Sequence, residues 1–328
     1  MEVNLNANRV THKGAMKSNI LNFLRKSGGL VSGEAISDEL GISRVSVWKH
    51  IGKLKELGYE IESASNGYRL IKSPDGLFPW EFGHRSGRIH YFEEISSTMD
   101  TARDLARKGC PDFTVVIADR QTKGRGRLSR TWISDDGGLY FSVILRPPIP
   151  PVLSYRVNFG ASLCLAKILR RMFSIDAKVK WPNDILVDGE KLCGMLSEME
   201  AESDRVSFIN LGIGINVNND PSPREQKAVS LKTLLGKNIQ RATILSAFLD
   251  EFEPMSRKIV DENIISEWKK FTGTLGRPVR IVTLNDTIEG IAGDVEKDGA
   301  LMVEAYDGTL RKVLYGDCFY AAPKEEPR

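Results

Sequence analysis

The chain has 328 residues, 41% of them hydrophobic and 27% charged, with 46 Lys+Arg against 43 Asp+Glu. That length allows two or three domains with separate cores, and the balance is that of a globular chain, which excludes fibrous and wholly disordered classes. No run of eighteen apolar residues occurs and the polar start "MEVNLNANRVTHKG" is unlike a secretory signal, so neither a membrane partner nor export is expected.

The cysteines, Cys110, Cys164, Cys193 and Cys318, lack the short spacings of a zinc site, so no metal ligands are assigned and reduced cytoplasmic thiols are expected. Charge is unevenly spread. Residues 1–72 hold 11 Lys+Arg and 7 Asp+Glu, a net +4, which leaves −1 for the rest. A basic segment on a near-neutral body is what a nucleic-acid-binding appendage requires.

Ile20, Leu21 and Leu24 mark a first helix, stopped by Gly28-Gly29. In "SGEAISDELGISRVSVWKHIGKLKELGYEI", Ala35, Ile36 and Leu40 share one face of a second helix. Gly41 breaks it and Ser43 is the expected N-cap of a third. Val47, Trp48, Ile51, Leu54 and Leu57 form the expected buried stripe of that third helix. Arg44, Ser46, Lys49, His50 and Lys53 then face outward, as on a DNA-reading helix. "YEIESASNGYRLI" alternates about Asn66-Gly67, a hairpin turn, so the module reads as a winged helix-turn-helix. A packing or dimerisation module is the plainer alternative. "KSPDGLFP" reads as the linker.

Strands and helices mix after residue 88. "STMDTARDLARKG" is a helix with Ser97 or Thr98 near its cap, "FTVVIAD" and "GLYFSVILRP" are strands, and "RVNFGASLCLAKILRRMF" is a buried helix. "AKVKWPNDILVDGEKLCGMLSEME" and "VSFINLGIGINVN" are further strands, so a mixed α/β layer is expected rather than a βαβ repeat. The loop "QTKGRGRLSRTW" alternates Gly124, Arg125, Gly126 and Arg127. Such a loop can cradle an anion between backbone N–H groups and guanidinium forks, although a basic RNA-binding loop has the same composition. A second cluster places Lys180, Trp181, Asn183 and Asp184 about a proline, with Lys191 after the Val187–Gly189 turn. There Lys191 can stabilise negative charge developing on a phosphoryl or carbonyl oxygen.

"GRGR" after a strand, "KWPND", "KLCGMLSE" and "LGIGINV" together resemble the biotin protein ligases, and the winged module resembles the bifunctional type that also represses the biotin operon. The resemblance implies an α+β multidomain chain with three parts. Residues 1–74 would be the winged helix-turn-helix with its linker, 75–276 the mixed α/β ligase domain, and 277–328 a small SH3-like β-barrel. The last fits period-two strands joined at Asn285-Asp286, Asp298-Gly299 and Asp307-Gly308.

It further implies that biotin and ATP, with Mg²⁺, form biotinyl-5′-adenylate, and that biotin passes to one lysine of a biotin carboxyl carrier protein. Ser97, Thr98, Gln121, Arg125, Gly126, Arg127 and Lys191 would line the biotin site, with Trp181 in its apolar wall. Gly124, Asn183, Asp184, Gly212, Gly214 and Asn216 would lie at the adenylate. Close backbone packing is an equal reading of the last two glycines. Catalysis would fall to Lys191, Arg125, Arg127 and Asp184, the last orienting the incoming lysine.

Operator DNA and a second copy of the chain are the other implied partners. The pattern departs from the family at Ser129, where glycine is common, at Lys123, where a small residue is frequent, and at Met99, where asparagine usually follows Ser-Thr. A sensor that has lost ligase activity and a lipoate ligase are the competing readings.

Overall fold

The computed structural model describes residues 10–320 except 224, 226, 261 and 262. The chain divides into two units, one running up to Tyr91 and including Gln240–Ala242, the other comprising the remainder.

The first unit contains α1 (Val10–Ser27), α2 (Gly33–Leu40), α3 (Arg44–Glu56) and a hairpin of β1 (Glu60–Ala64) and β2 (Gly67–Lys72). Ser32 and Ser43 start α2 and α3, their hydroxyls accepting the N–H of Ala35 at 3.0 Å and of Ser46 at 3.2 Å. Gly41 closes α2 in the left-handed region. Ile20, Leu21, Leu24, Ile36, Val47, Ile51 and Leu54 form the core.

Two expected core positions are corrected: Ala35 is exposed, and Trp48 is 65% exposed. The buried positions of α3 run i, i+4, i+7 from Val47, and Trp48, one residue on, is turned about 100° from them. Ala64 pairs with Gly67, so the hairpin turn is Ser65-Asn66, one residue earlier than expected. Gly67 serves a different purpose. Its φ is +153°, and a Cβ there would stand 2.1 Å from the carbonyl oxygen of Val31, where the hairpin closes on the chain before α2.

The segment read as a linker is packed. Leu77 and Pro79 are buried, as are Trp80 and Phe82 just beyond it, and Phe78 stacks on Trp80 at 4.8 Å. The Tyr59 hydroxyl donates to Glu81 and accepts the Trp80 indole N–H at 3.0 Å, while Arg25 donates to Glu81 at 2.8 Å.

The second unit is built on a seven-stranded sheet of order β3-β4-β5-β9-β8-β7-β6. Its strands are β3 (Ile89–Ile95), β4 (Thr114–Gln121), β5 (Leu139–Leu145), β6 (Lys178–Lys180), β7 (Asp184–Val187), β8 (Glu190–Glu202) and β9 (Arg205–Ile215). From β4 to β6 every neighbouring pair is antiparallel. The helices are α4 (Thr98–Arg107), α5 (Tyr155–Phe173), α6 (Leu231–Leu235), α7 (Arg241–Ser256) and α8 (Asn263–Lys269).

By length and composition alone α5 could cross a membrane, but its apolar residues from Val157 to Leu169 are packed into the body, as a core helix requires. Trp268 of α8 meets Phe159 edge-on at 4.9 Å and donates to the Ser162 hydroxyl at 3.1 Å. Phe248 and Phe252 of α7 stack at 5.0 Å, and Phe248 reaches Phe141 of β5 at 5.6 Å. All four cysteines are free.

Five antiparallel strands follow in the order β13-β12-β11-β10-β14. They are β10 (Pro278–Val282), β11 (Thr287–Val295), β12 (Leu301–Ala305), β13 (Leu310–Val313) and β14 (Asp317–Tyr320), with the three expected turn pairs between consecutive strands. Gly299 has φ +79° and a Cβ on it would lie 2.7 Å from the Tyr155 ring, so the β11–β12 turn fits only as glycine. The Trp181 indole donates to its carbonyl at 3.0 Å. That bond ties the start of "WPND" to the C-terminal sheet.

Candidate active site

A cavity of about 400 Å³ opens between the arginine loop, α4 and the faces of β8 and β9. It is lined by Thr98, Gln121, Arg125, Gly126, Arg127, Asn183, Asp184, Lys191, Gly212 and Gly214 among the expected residues, and by Met99, Arg130, Trp132, Gly194, Glu225 and Asp317 among others. Ser97, Gly124, Trp181 and Asn216 are not in this wall.

The arginine loop is an ordered hairpin. The Gly126 N–H donates to Arg130 O at 2.8 Å, the Trp132 N–H to Gly124 O at 2.9 Å, and Arg125 bridges Thr131. The expected anion nest is therefore corrected at Gly126, whose N–H is used inside the hairpin. Gly124 is fixed by close approach, because a Cβ there would sit 2.3 Å from Trp132 O. At the tip Leu128 and Ser129 are both left-handed, with φ +51° and +59°. The departure at Ser129 thus falls where a side chain costs backbone strain.

At the closed end, the Gln121 amide is fully oriented. Its oxygen accepts from the Thr98 N–H at 2.8 Å and the Thr98 hydroxyl at 3.1 Å, and its nitrogen donates to the Ser134 hydroxyl at 2.8 Å. Ser142 donates to Thr98 at 2.9 Å. Ser97 stands at the N-cap of α4 without making a cap bond, and its buried hydroxyl has no partner among the described residues. Such an orphan is costly in a closed wall and cheap beside a ligand that bonds it.

Met99 turns its sulfur onto Gly212, where a Cβ would lie 2.7 Å away, and its carbonyl accepts from Asn210 at 2.7 Å. Close packing also accounts for Gly214. There a Cβ would lie 2.4 Å from Trp132, and one on Gly194 would lie 2.8 Å from the same ring.

Trp132 is therefore the aromatic wall, with its indole packed against the glycines of β8 and β9. Trp181, expected in that role, is 1% exposed and lies outside this wall, bonded to Gly299. Glycines in otherwise apolar strands were the available signal for Trp132.

The charges are arranged in pairs, with one exception. Arg125 donates to Asp100 at 3.0 Å and forks onto Glu198, so its expected freedom for phosphate is corrected. Arg130 pairs with Asp317, and Lys191 with Asp184 at 3.3 Å. Arg127 instead donates to neutral oxygens, Asn183 Oδ1 at 3.1 Å and Gly316 O at 3.1 Å. Burial pulls its guanidinium below its ordinary value, against the opposing pull of Asp317 and Asp184. It remains a cation, and the one lining the cavity without a carboxylate partner among the described residues.

Asn183 is also held by its backbone oxygen, which accepts the Met195 N–H at 3.0 Å. Asn216 lies behind Lys191, donating to its carbonyl at 3.4 Å, and acts on the cavity through that backbone. On α3, Arg44, Lys49 and Lys53 are exposed, while Ser46 and His50 are half-buried. Burial, and then Lys53 and Lys17, lower the His50 pKa.

Family models match in chain order: an HTH domain at residues 17–69, the Biotin/lipoate A/B protein ligase family at 91–216, and the Biotin protein ligase C terminal domain at 274–320. The bifunctional ligase/repressor BirA of Bacillus subtilis is 38% identical over 321 residues, covering 93% of this chain and 98% of that protein. The protein of the same name from Escherichia coli is 28% identical, covering 90% and 94%. Among solved structures, the biotin protein ligase of Aquifex aeolicus in complex with biotin and ATP superposes with a TM-score of 0.62 at 26% identity, covering 71% of this chain and 99% of that one. On these matches the chain belongs to the biotin protein ligase family, in its bifunctional ligase/repressor form.

Proposed function

We propose that this protein joins biotin to ATP, transfers the biotin to one lysine of a biotin carboxyl carrier protein, and represses biotin genes through its N-terminal module. The observation that carries the ligase reading is the cavity of about 400 Å³ with one half-buried cation, Arg127, lacking a carboxylate beside the Lys191–Asp184 pair. A carboxylate is a poor acyl donor until its oxygen becomes part of a better leaving group. Adenylation supplies that group, but two anions must first meet, and the cations lower the cost of the encounter.

In this reading Thr98 and Gln121, in the cavity wall, serve the ureido group, with Ser97 buried next to Thr98. The orphan Ser97 hydroxyl and the oriented amide support that assignment. Arg127 and Lys191 stabilise charge on the carboxylate and α-phosphate, with Arg125 and Gly126 shaping the loop. Asn183 and Asp184 border the adenylate. Asp184, already bound to one ammonium, is suited to receive a second amine from the carrier. Gly124, Gly212 and Gly214 let Trp132 and Met99 pack closely as walls of the adenylate site, and Asn216 positions Lys191.

Mg²⁺ would arrive with the triphosphate. Among the described residues no group of three or more His, Cys, Asp or Glu could hold it alone, so phosphate and water oxygens would dominate its shell, with Asp184, Glu225 and Asp317 the carboxylates that line the cavity. That fits a nucleotide-borne ion.

Winged modules read paired half-sites as dimers, so we assign a homodimer to the repressing state. Domain limits of 1–74, 75–276 and 277–328, an SH3-like C-terminal fold and a cytoplasmic setting belong to the same proposal.

The test is intact-mass spectrometry of a carrier domain incubated with the protein, biotin and Mg-ATP, beside Lys191→Ala. One biotinyl adduct, lost in the variant, is expected. No adduct on several carriers, despite biotin binding, would overturn the ligase assignment. An adduct that persists in the variant would remove Lys191 from it.

A further inference from the structure

The outer face of α3 holds two large apolar side chains in water: Val45 is 62% and Trp48 is 65% exposed. An indole carries more apolar area than any other side chain, and leaving it solvated on a charged surface forgoes its burial. Gly52 follows one turn after Trp48, inside the helix, with nothing within 4 Å of where its Cβ would be. Glycine weakens a helix relative to alanine, and no internal contact requires it here. The helix is thus bared on its outside, at the point where another molecule could come close.

Val45, Trp48 and Gly52 succeed one another at i, i+3 and i+7. Lys49 and Lys53 run beside them, and Arg44 stands at the helix start. Among the described residues these three cations form no ion pair. In the adjacent hairpin, by contrast, Arg69 is bound to Glu62 at 2.6 Å and Lys72 to Glu60 at 3.7 Å. Positive potential is therefore concentrated on the same face as the apolar ridge. A second copy of α3 would bring like charges together. A duplex major groove supplies what this face lacks, with phosphates along both rims and the C5-methyl groups of thymine on its floor.

We propose that Val45 and Trp48 read thymine methyl groups in the major groove, while Gly52 lets the helix seat closely and Arg44, Lys49 and Lys53 hold phosphates. The proposal rests on the DNA-binding reading of this module.

For the test, the full-length protein with biotin and Mg-ATP enriches duplexes from a random-sequence pool. The best-enriched duplex is then remade with deoxyuridine at each thymine in turn. That exchange removes one methyl and keeps every base-pair hydrogen bond. Fluorescence anisotropy should show the parent protein weakened about fourfold at each contacted thymine, the worth of one buried methyl group. Trp48→Ala and Val45→Ala should bind the thymine duplex more weakly and no longer distinguish uracil at that position. Thermal unfolding of both variants reports on their folding.

Variants that discriminate as the parent does, or a parent indifferent to uracil everywhere, would overturn the proposal and leave DNA binding intact. If no duplex is enriched, the DNA-binding reading fails and this one with it. If Trp48→Ala alters sedimentation but not DNA affinity, Trp48 belongs to a contact between copies and the proposal falls.

Discussion

The outer face of α3 and the cleft of the ligase body use the same side chains in opposite ways. On α3, Arg44, Lys49 and Lys53 are exposed and form no ion pair among the described residues. In the cleft, Arg125, Arg130 and Lys191 are each held by a carboxylate, and Arg127 is held by two neutral oxygens. A long polyanion is met by independent charges whose contributions add and whose counterions are released. A small reacting anion needs one or two cations at fixed positions. Carboxylate partners fix them while cancelling the excess charge that would hold products too tightly.

The sharpest test of that contrast is Lys191→Ala, which removes a positioned charge. Biotin-dependent ATP–pyrophosphate exchange should fall by about 10²–10³-fold. Arg127→Gly should come next, because it cuts the two bonds that join the arginine loop to Asn183 and Gly316. Biotinyl-adenylate should leave about tenfold faster, the worth of one charge-assisted hydrogen bond, and label amines of a bystander protein. Undiminished selectivity for the carrier would contradict the idea that this loop retains the adenylate.

Glu198→Gln makes a cleft cation resemble those of α3 by loosening Arg125. An increase of about fivefold in the KM for biotin, with kcat less affected, is expected from the loss of one positioning contact. Lys49→Ala should lower the slope of log affinity for DNA against log salt by about 1, while pyrophosphate exchange by the same variant keeps the parent's salt response.

The smallest effect concerns acid. Burial lowers the pKa of His90 and of His50, the latter aided by Lys53 and Lys17. The fold therefore favours neutral rings. Their contribution is full above the ordinary value of 6.5 and is lost as pH falls from there through the lowered folded values. The melting temperature should decline over that window, and His50→Gln with His90→Gln should flatten the decline.

Local signals were legible where local physics decides. Ser43 caps α3 as its sequence position requires, and Gly41 ends α2. Three tryptophans show where such reading stops. Trp48 lies next to a core residue in sequence and about 100° from it in space. Trp181 is buried by a contact with Gly299, 118 residues away, which no local pattern encodes. Trp132 carries no local signal, because its partners, Gly194 and Gly214, lie more than sixty residues further along the chain and record only that something must pack against them. The residues expected at the cavity did gather there for the most part. The pairing of Arg125 with Glu198 and Asp100 required the sheet and α4 to be in place.

The bond from Arg127 to the carbonyl of Gly316 spans 189 residues. A polypeptide still being synthesised has its arginine loop long before the acceptor that holds it exists. The same is true of Arg130, whose partner Asp317 begins β14. Chains stalled or clipped before that point carry the cavity's early walls without the latch on Arg127. Closing the loop thus depends on synthesis having run 189 residues past the arginine it holds.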